Sequence, residues 1–227
     1  MAIRVISSMA TKQLLAALAA AIGRESGVGL EIESVGGVDA AKRVAAGEAF
    51  DVVVLAADAI DALIAEGHVV AGSRTDLVRS GVSVAVPAGD PHPPIADEGQ
   101  VRRALREAPS IGYSTGPSGR KLLERIAQWG LADELADRLV LAPPGVPVAA
   151  LLAQRKVAIG VQQLSELMNV DRVDVVGPLP DAISIVTVFS AGLVRASTQP
   201  DAARAAISSL AGPLLVAAAP THGMEKA

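Results

Sequence analysis

The chain has 227 residues, 51% of them hydrophobic and 19% charged, which is enough apolar content to build a buried core and too little charge for a disordered chain. Twenty Lys and Arg against 24 Asp and Glu leave a net charge of −4, and aromatic residues make up only 2%; with neither a clustered positive field nor a stacking platform, nucleic acid is not an expected partner. Cysteine is absent and His68, His92 and His222 lack the close spacing of a zinc site, so disulfides, thiol nucleophiles, a metal and a cofactor are all unexpected.

Ile3 to Ile6 reads as a strand. The run Leu14 to Ala21 resembles the apolar part of a signal peptide, but a strand precedes it and its Ala and Leu content suits a helix of the fold, expected from Thr11 to Ala21 and closed by Gly23. Gly29 to Val35 alternates like a half-buried strand and leads through Gly36-Gly37 to a helix from about Asp39, the expected N-cap. Val52-Val53-Val54-Leu55 has the continuous β-branched character of a buried parallel strand, followed by a helix from Ala59 to Glu66 with Gly67 beyond it. Val82 to Val86 is a strand that runs into Pro87-Ala88-Gly89-Asp90-Pro91-His92-Pro93-Pro94.

A second series follows: helix Glu98 to Glu107, strand Ser110 to Tyr113, helix Ser118 to Trp129, strand Arg138 to Leu141, helix Val146 to Ala153, strand Val157 to Val161 and a short helix Gln163 to Met168. Asp174 to Val176 and Ile183 to Phe189 read as strands, Ala202 to Leu210 and Pro213 to Ala219 as helices, and Thr221 to Ala227 as a loosely held tail. The alternation predicts an α/β fold with parallel sheets covered by helices. The Pro and Gly stretches divide it into a discontinuous lobe I, residues 1–81 and 185–227, and an inserted lobe II, residues 82–184, with a hinge and an interlobe cleft as the expected ligand site. No apolar run approaches the ~20 residues that span a bilayer, so membrane insertion is not expected.

Three polar turns each follow a strand and open a helix: Ser7-Ser8-Met9-Ala10-Thr11, Gly36-Gly37-Val38-Asp39 and Ser114-Thr115-Gly116-Pro117-Ser118-Gly119. Helix N-termini carry unpaired N–H groups and a positive dipole end, which suits a small anion. The candidate ligand-binding residues are therefore Ser7, Ser8, Gly37, Val38, Ser114, Ser118 and Gly119, with Gly36 and Gly37 expected to supply a positive φ or a close approach. Arg79 could grip a carboxylate with its planar guanidinium, and Tyr113 and Gln162 could add a phenol and an amide. Asp51 and Asp58 suit turn and cap formation. No nucleophile elbow, Walker sequence or carboxylate pair is present, so the sequence does not identify a catalytic acid or base.

The first turn, the Gly36-Gly37 turn, the segment Ala46-Gly47-Glu48-Ala49-Phe50-Asp51-Val52-Val53 and Gly116-Pro117-Ser118-Gly119 together resemble the molybdate-binding-like branch of the type II periplasmic solute-binding proteins, over nearly the whole chain. The resemblance implies two α/β lobes closing over a small anion. Oxyanion-binding members usually place a serine where this chain has Val38, and a tyrosine where it has Gln162. The segment Gln162-Gln163-Leu164-Ser165-Glu166-Leu167, with Gly177-Pro178-Leu179-Pro180 and Arg79-Ser80-Gly81-Val82, is similar to a subgroup that includes aconitate isomerase-like proteins. That likeness implies a di- or tricarboxylate ligand. The expected function is binding of such an anion, with isomerisation of a small unsaturated polycarboxylate by an allylic proton shift as the alternative. No leader precedes Ile3, which suits a cytoplasmic protein; a periplasmic protein with its leader removed is the alternative, and an ABC transporter permease would then be a partner.

Overall fold

The computed structural model describes residues 2–227. In chain order its elements begin with β1 (Ile3–Ser8), a 3-10 turn (Met9–Thr11), α1 (Lys12–Ser26), β2 (Leu30–Val35), α2 (Gly37–Ala45), β3 (Val52–Ala56), α3 (Ala57–Ala65) and β4 (Thr75–Pro87). There follow α4 (Glu98–Glu107), β5 (Ile111–Tyr113), α5 (Pro117–Gln128), α6 (Ala132–Leu135), β6 (Leu139–Leu141), α7 (Val148–Ala153), β7 (Ile159–Gln163), α8 (Leu164–Leu167) and β8 (Val173–Pro178). The chain ends with β9 (Val186–Leu193), α9 (Pro200–Leu210), α10 (Pro213–Ala218) and β10 (Glu225–Lys226). It forms two compact units, one of the residues up to Ser80 with Thr187–Ala227, the other of Gly81–Val186.

In the first unit β1 pairs in parallel with β2 and β3, and β9 pairs antiparallel with β3. Side chains alternate across this sheet with the strand period of two. Ile3, Val5, Val52 and Val54 pack with Leu14, Leu15 and Leu18 of α1 and Ile207 and Leu210 of α9, whereas Ile6, Val53 and Leu55 pack with Ala40 and Val44 of α2 and Ile60 and Leu63 of α3. Both faces are covered, which is why the third strand reads as an unbroken β-branched run. Asp51 fastens the sheet to the segment before α9: it accepts from Arg4 N at 2.9 Å, Ser197 Oγ at 2.6 Å and Gln199 Nε2 at 2.9 Å.

Three local expectations are corrected here. Helix α1 continues through Gly23 and closes at Gly27, whose φ of 70° supplies the left-handed cap that ends a helix. Helix α2 starts at Gly37 with Gly36 as its N-cap, so Asp39 stands in the first turn, where a carboxylate favours the dipole. The C-terminal segment is not loose: Met224 is buried in the core, and β10 pairs with β4 at Val78 and Arg79.

In the second unit β4 pairs antiparallel with β7 and β8, and β5 pairs in parallel with β6 and β7. Val82, Val84, Val86, Ile111, Ile159 and Val161 meet α4 and α5 through Val101, Leu105, Leu122 and Ile126. The opposite face carries Ala85 and, as register partners on adjacent strands, Gly112 and Gly160. A Cβ on Gly112 would stand 2.9 Å from Val148 Cγ1, and one on Gly160 would stand 2.7 Å from both Val148 Cγ1 and Leu152 Cδ1. These glycines let α7 lie directly on the strands, which fixes the position of its first residue.

Candidate functional site

The first unit gathers Ser7, Ser8, Gly37 and Val38 at the carboxyl edge of β1. Ser7 and Ser34 are register partners, and their hydroxyls meet at 2.8 Å. Ser8 points elsewhere: its Oγ is buried without a hydrogen-bond partner among the described residues, and its Cβ lies 3.6 Å from where a Cβ of Gly37 would be. Gly36 has φ −56° and ψ 136°, and Gly37 opens the helix, so the expected positive φ is absent; at Gly37 the approach of Ser8 is ordinary contact. The N-terminal N–H groups of α2 and the Ser8 hydroxyl are donors without intrahelical acceptors, a set that can hold an anion. Val38 presents an exposed apolar side chain beside them. Arg43 is engaged elsewhere on α2, between Glu33 and Glu48.

In the second unit the Ser114 to Ser118 turn is built around a carbonyl. A Cβ on Gly119 would lie 1.8 Å from Ser114 O, so only glycine allows α5 to start this close to the strand end. Ser114 Oγ meets Ser118 Oγ at 3.2 Å and accepts from Gly116 N at 3.3 Å. Pro117 takes the first helical position, where its missing N–H costs nothing. Tyr113 packs against the core shared with α4 and α5, and its carbonyl accepts from Ala142 N at 2.8 Å.

Gln162 is on the α7 face of the same sheet. Its Oε1 accepts from Val148 N at 2.7 Å, which leaves its amide nitrogen to hydrogen-bond the carboxyl of Glu166, four residues on in α8. Glu166 as a residue keeps partial exposure, yet its carboxyl sits among protein atoms. Desolvation pushes its pKa up to about 7, and the Gln162 hydrogen bond opposes the rise. Ser83, the cross-strand partner of Gln162, and Ser165, next to Glu166, each bury an Oγ with no partner among the described residues. Sequence reasoning does not single out Glu166. Its signal was a lone carboxyl directly after a buried strand, in a stretch with no Lys or Arg between Lys156 and Arg172.

Arg79 is engaged in an exposed ion pair. Its Nε and Nη2 donate to Glu225 Oε2 at 3.0 and 2.8 Å, and both side chains are more than half exposed. Glu225 thus occupies the Nε–Nη2 edge of the guanidinium.

The family model for bacterial extracellular solute-binding proteins matches residues 3–225. The chain belongs to that family. One relative within reach of this family member, an aconitate isomerase of a Pseudomonas species, is 34% identical over 212 residues, covering 91% of this chain and 81% of the relative. Among solved structures, the periplasmic molybdate-binding protein of Azotobacter vinelandii superimposes with a TM-score of 0.82 at 19% identity over 98% of both chains. The sulfate-binding protein SubI of Mycobacterium tuberculosis gives 0.81 at 18% identity, covering 99% of this chain and 86% of that one. This family member therefore has the mixed α/β fold of the type II periplasmic binding proteins, as the resemblance in its sequence implies.

Proposed function

We propose that this chain binds a small unsaturated tricarboxylate of the aconitate type and interconverts its isomers by an allylic proton shift. The observation that carries this reading is the 34% identity to an aconitate isomerase over 91% of the chain. The chemistry is self-contained. A base takes a proton from the methylene carbon, the electron pair spreads over the three-carbon allyl unit and its carboxylates, and the proton returns at the far carbon with the double bond shifted; nothing is oxidised or reduced. The enzyme then has to hold the carboxylates and supply a group that works near neutral pH.

The carboxylate-holding groups we assign form one set within each unit: Ser7, Ser8 and the N–H groups at Gly37 and Val38 in the first, and Ser114, Ser118, the Gly119 N–H and Gln162 in the second. Hydroxyls and helix-start amides bind anions without a paired cation. Membership of the solute-binding family favours a second reading, reversible binding without turnover. The experiment follows cis- and trans-aconitate by proton NMR with purified protein, alongside calorimetric titration with aconitates, citrate, sulfate and molybdate. Interconversion of the isomers supports the isomerase reading. Tight aconitate or citrate binding with no interconversion supports the binding reading, and binding of the inorganic oxyanions alone overturns both.

A further inference from the structure

We propose that the Glu166 carboxyl is the proton-carrying group of the allylic shift and that Gln162 is the residue that positions it; this rests on the isomerase reading above. The argument starts from an incomplete set of partners. A carboxylate offers about four lone-pair directions. Among the described residues this one receives a single hydrogen bond, from Gln162, and no ion pair. A carboxyl held among protein atoms with so few donors is costly to keep, and a well-packed apolar side chain would cost less. The residue as a whole keeps partial exposure, although its carboxyl is covered by protein atoms.

Its holder is fixed at the other end. Val148 N–H occupies Gln162 Oε1, so the amide cannot turn its oxygen toward Glu166 without breaking a buried bond. Ser83, the cross-strand partner of Gln162, and Ser165, the residue before Glu166, each bury a hydroxyl with no partner among the described residues. Such hydroxyls need an explanation, and a ligand that supplies the missing acceptors is one.

Among the described residues no fixed charge tunes the carboxyl. The elements packed most closely on α8 are α7, β7 and β8. Neither α7 nor β7 contains a titratable side chain. On β8 the one such residue is Asp174; Val173 and Val175 face α7, which puts Asp174 on the opposite face, where it accepts from Gly89 N at 3.0 Å and lies 3.8 Å from His92 Nε2. Desolvation is therefore what moves the group into the neutral range, where it can both take and return a proton.

The test uses the full chain with Glu166→Gln and Glu166→Asp. Four readouts are compared: interconversion of aconitate isomers by NMR, deuterium entry into aconitate from heavy water, aconitate affinity by calorimetry, and thermal melting. Glu166→Gln keeps the size of the side chain and an oxygen to accept from Gln162. We expect it to lose at least about a hundredfold in turnover and in deuterium entry, with affinity held within about threefold and melting unchanged or raised. Glu166→Asp should retain partial turnover with a displaced pH profile. An active wild type accompanied by an equally active Glu166→Gln, or by a variant that loses affinity but not turnover, overturns this assignment alone. A wild type that neither interconverts aconitate nor exchanges its protons overturns the isomerase reading, and this assignment with it.

Discussion

Val148 N–H donates to Gln162 Oε1 at 2.7 Å, so the first residue of α7 decides which end of the Gln162 amide faces Glu166. That contact depends in turn on Gly112 and Gly160, which have no side chain to hold α7 off the strands. Gly160→Ala would place a Cβ 2.7 Å from Val148 Cγ1 and Leu152 Cδ1. The leucine tip can rotate away, but the valine methyl belongs to a side chain that is stiff at χ1. Urea denaturation of Gly160→Ala should show a loss of about 1–3 kcal/mol, the usual cost of overpacking. Aconitate affinity should fall as well, because Val148 N–H moves off Gln162.

Glu166 makes stability depend on pH in a definite direction. Its folded pKa is about 7 against an ordinary 4.5, so between these values the folded chain keeps a proton that the unfolded chain releases. Stability therefore declines as pH rises through that window and levels off above it, a total cost of about 3 kcal/mol. Glu166→Gln removes the cost. Denaturation of the two proteins across the pH range should give matching stabilities near the acid end of the window and a variant more stable by about 2–3 kcal/mol above neutrality. A difference that does not change with pH would show that the carboxyl titrates normally.

Gly119 is the position least able to accept a side chain. The 1.8 Å approach of Ser114 O to a Cβ there is a backbone contact that no rotamer relieves. Gly119→Ala should cost about 3 kcal/mol or more and open the turn that holds Ser114 and Ser118 together. The expected signature is a lowered melting temperature with lost aconitate binding. Gly47→Ala is the control, because its φ of 77° strains alanine while nothing stands within 4 Å of the new Cβ, so it should lower melting without touching affinity.

Arg79 and Glu225 are best tested together. Exposed pairs contribute about 0–1 kcal/mol, so Arg79→Ala and Glu225→Ala should each melt close to the parent chain. Aconitate affinity should stay within about twofold in both. If Arg79 instead grips the ligand, the two variants diverge in calorimetry: Arg79→Ala weakens binding at least tenfold, and Glu225→Ala strengthens it by freeing the guanidinium.

Much of the architecture is legible without coordinates because it rests on local periodicity. Val52 to Leu55 must be covered on both faces, Leu14, Leu15 and Leu18 share one side of a helix, and Pro117 marks a helix start whatever else the chain does. Helix ends are less legible. Both Gly23 and Gly27 are glycines, and only Gly27 takes the left-handed conformation.

The groups that matter for chemistry lie at the other extreme. Arg79 is as suitable for a carboxylate as any arginine until a strand 146 residues later places Glu225 opposite it. Ser7 and Ser8 are equivalent in the sequence, yet strand register gives Ser7 a partner in Ser34 and leaves Ser8 with none among the described residues. Glu166 shows the same division. The sequence alone determines that a carboxyl follows Gln162 by four residues, since spacing is a property of neighbours along the chain. That this carboxyl loses its water, meets the nitrogen end of the amide and holds a proton near neutral pH was decided only by the tertiary structure, because desolvation and the placement of Val148 depend on strands and a helix that the chain brings together from distant positions.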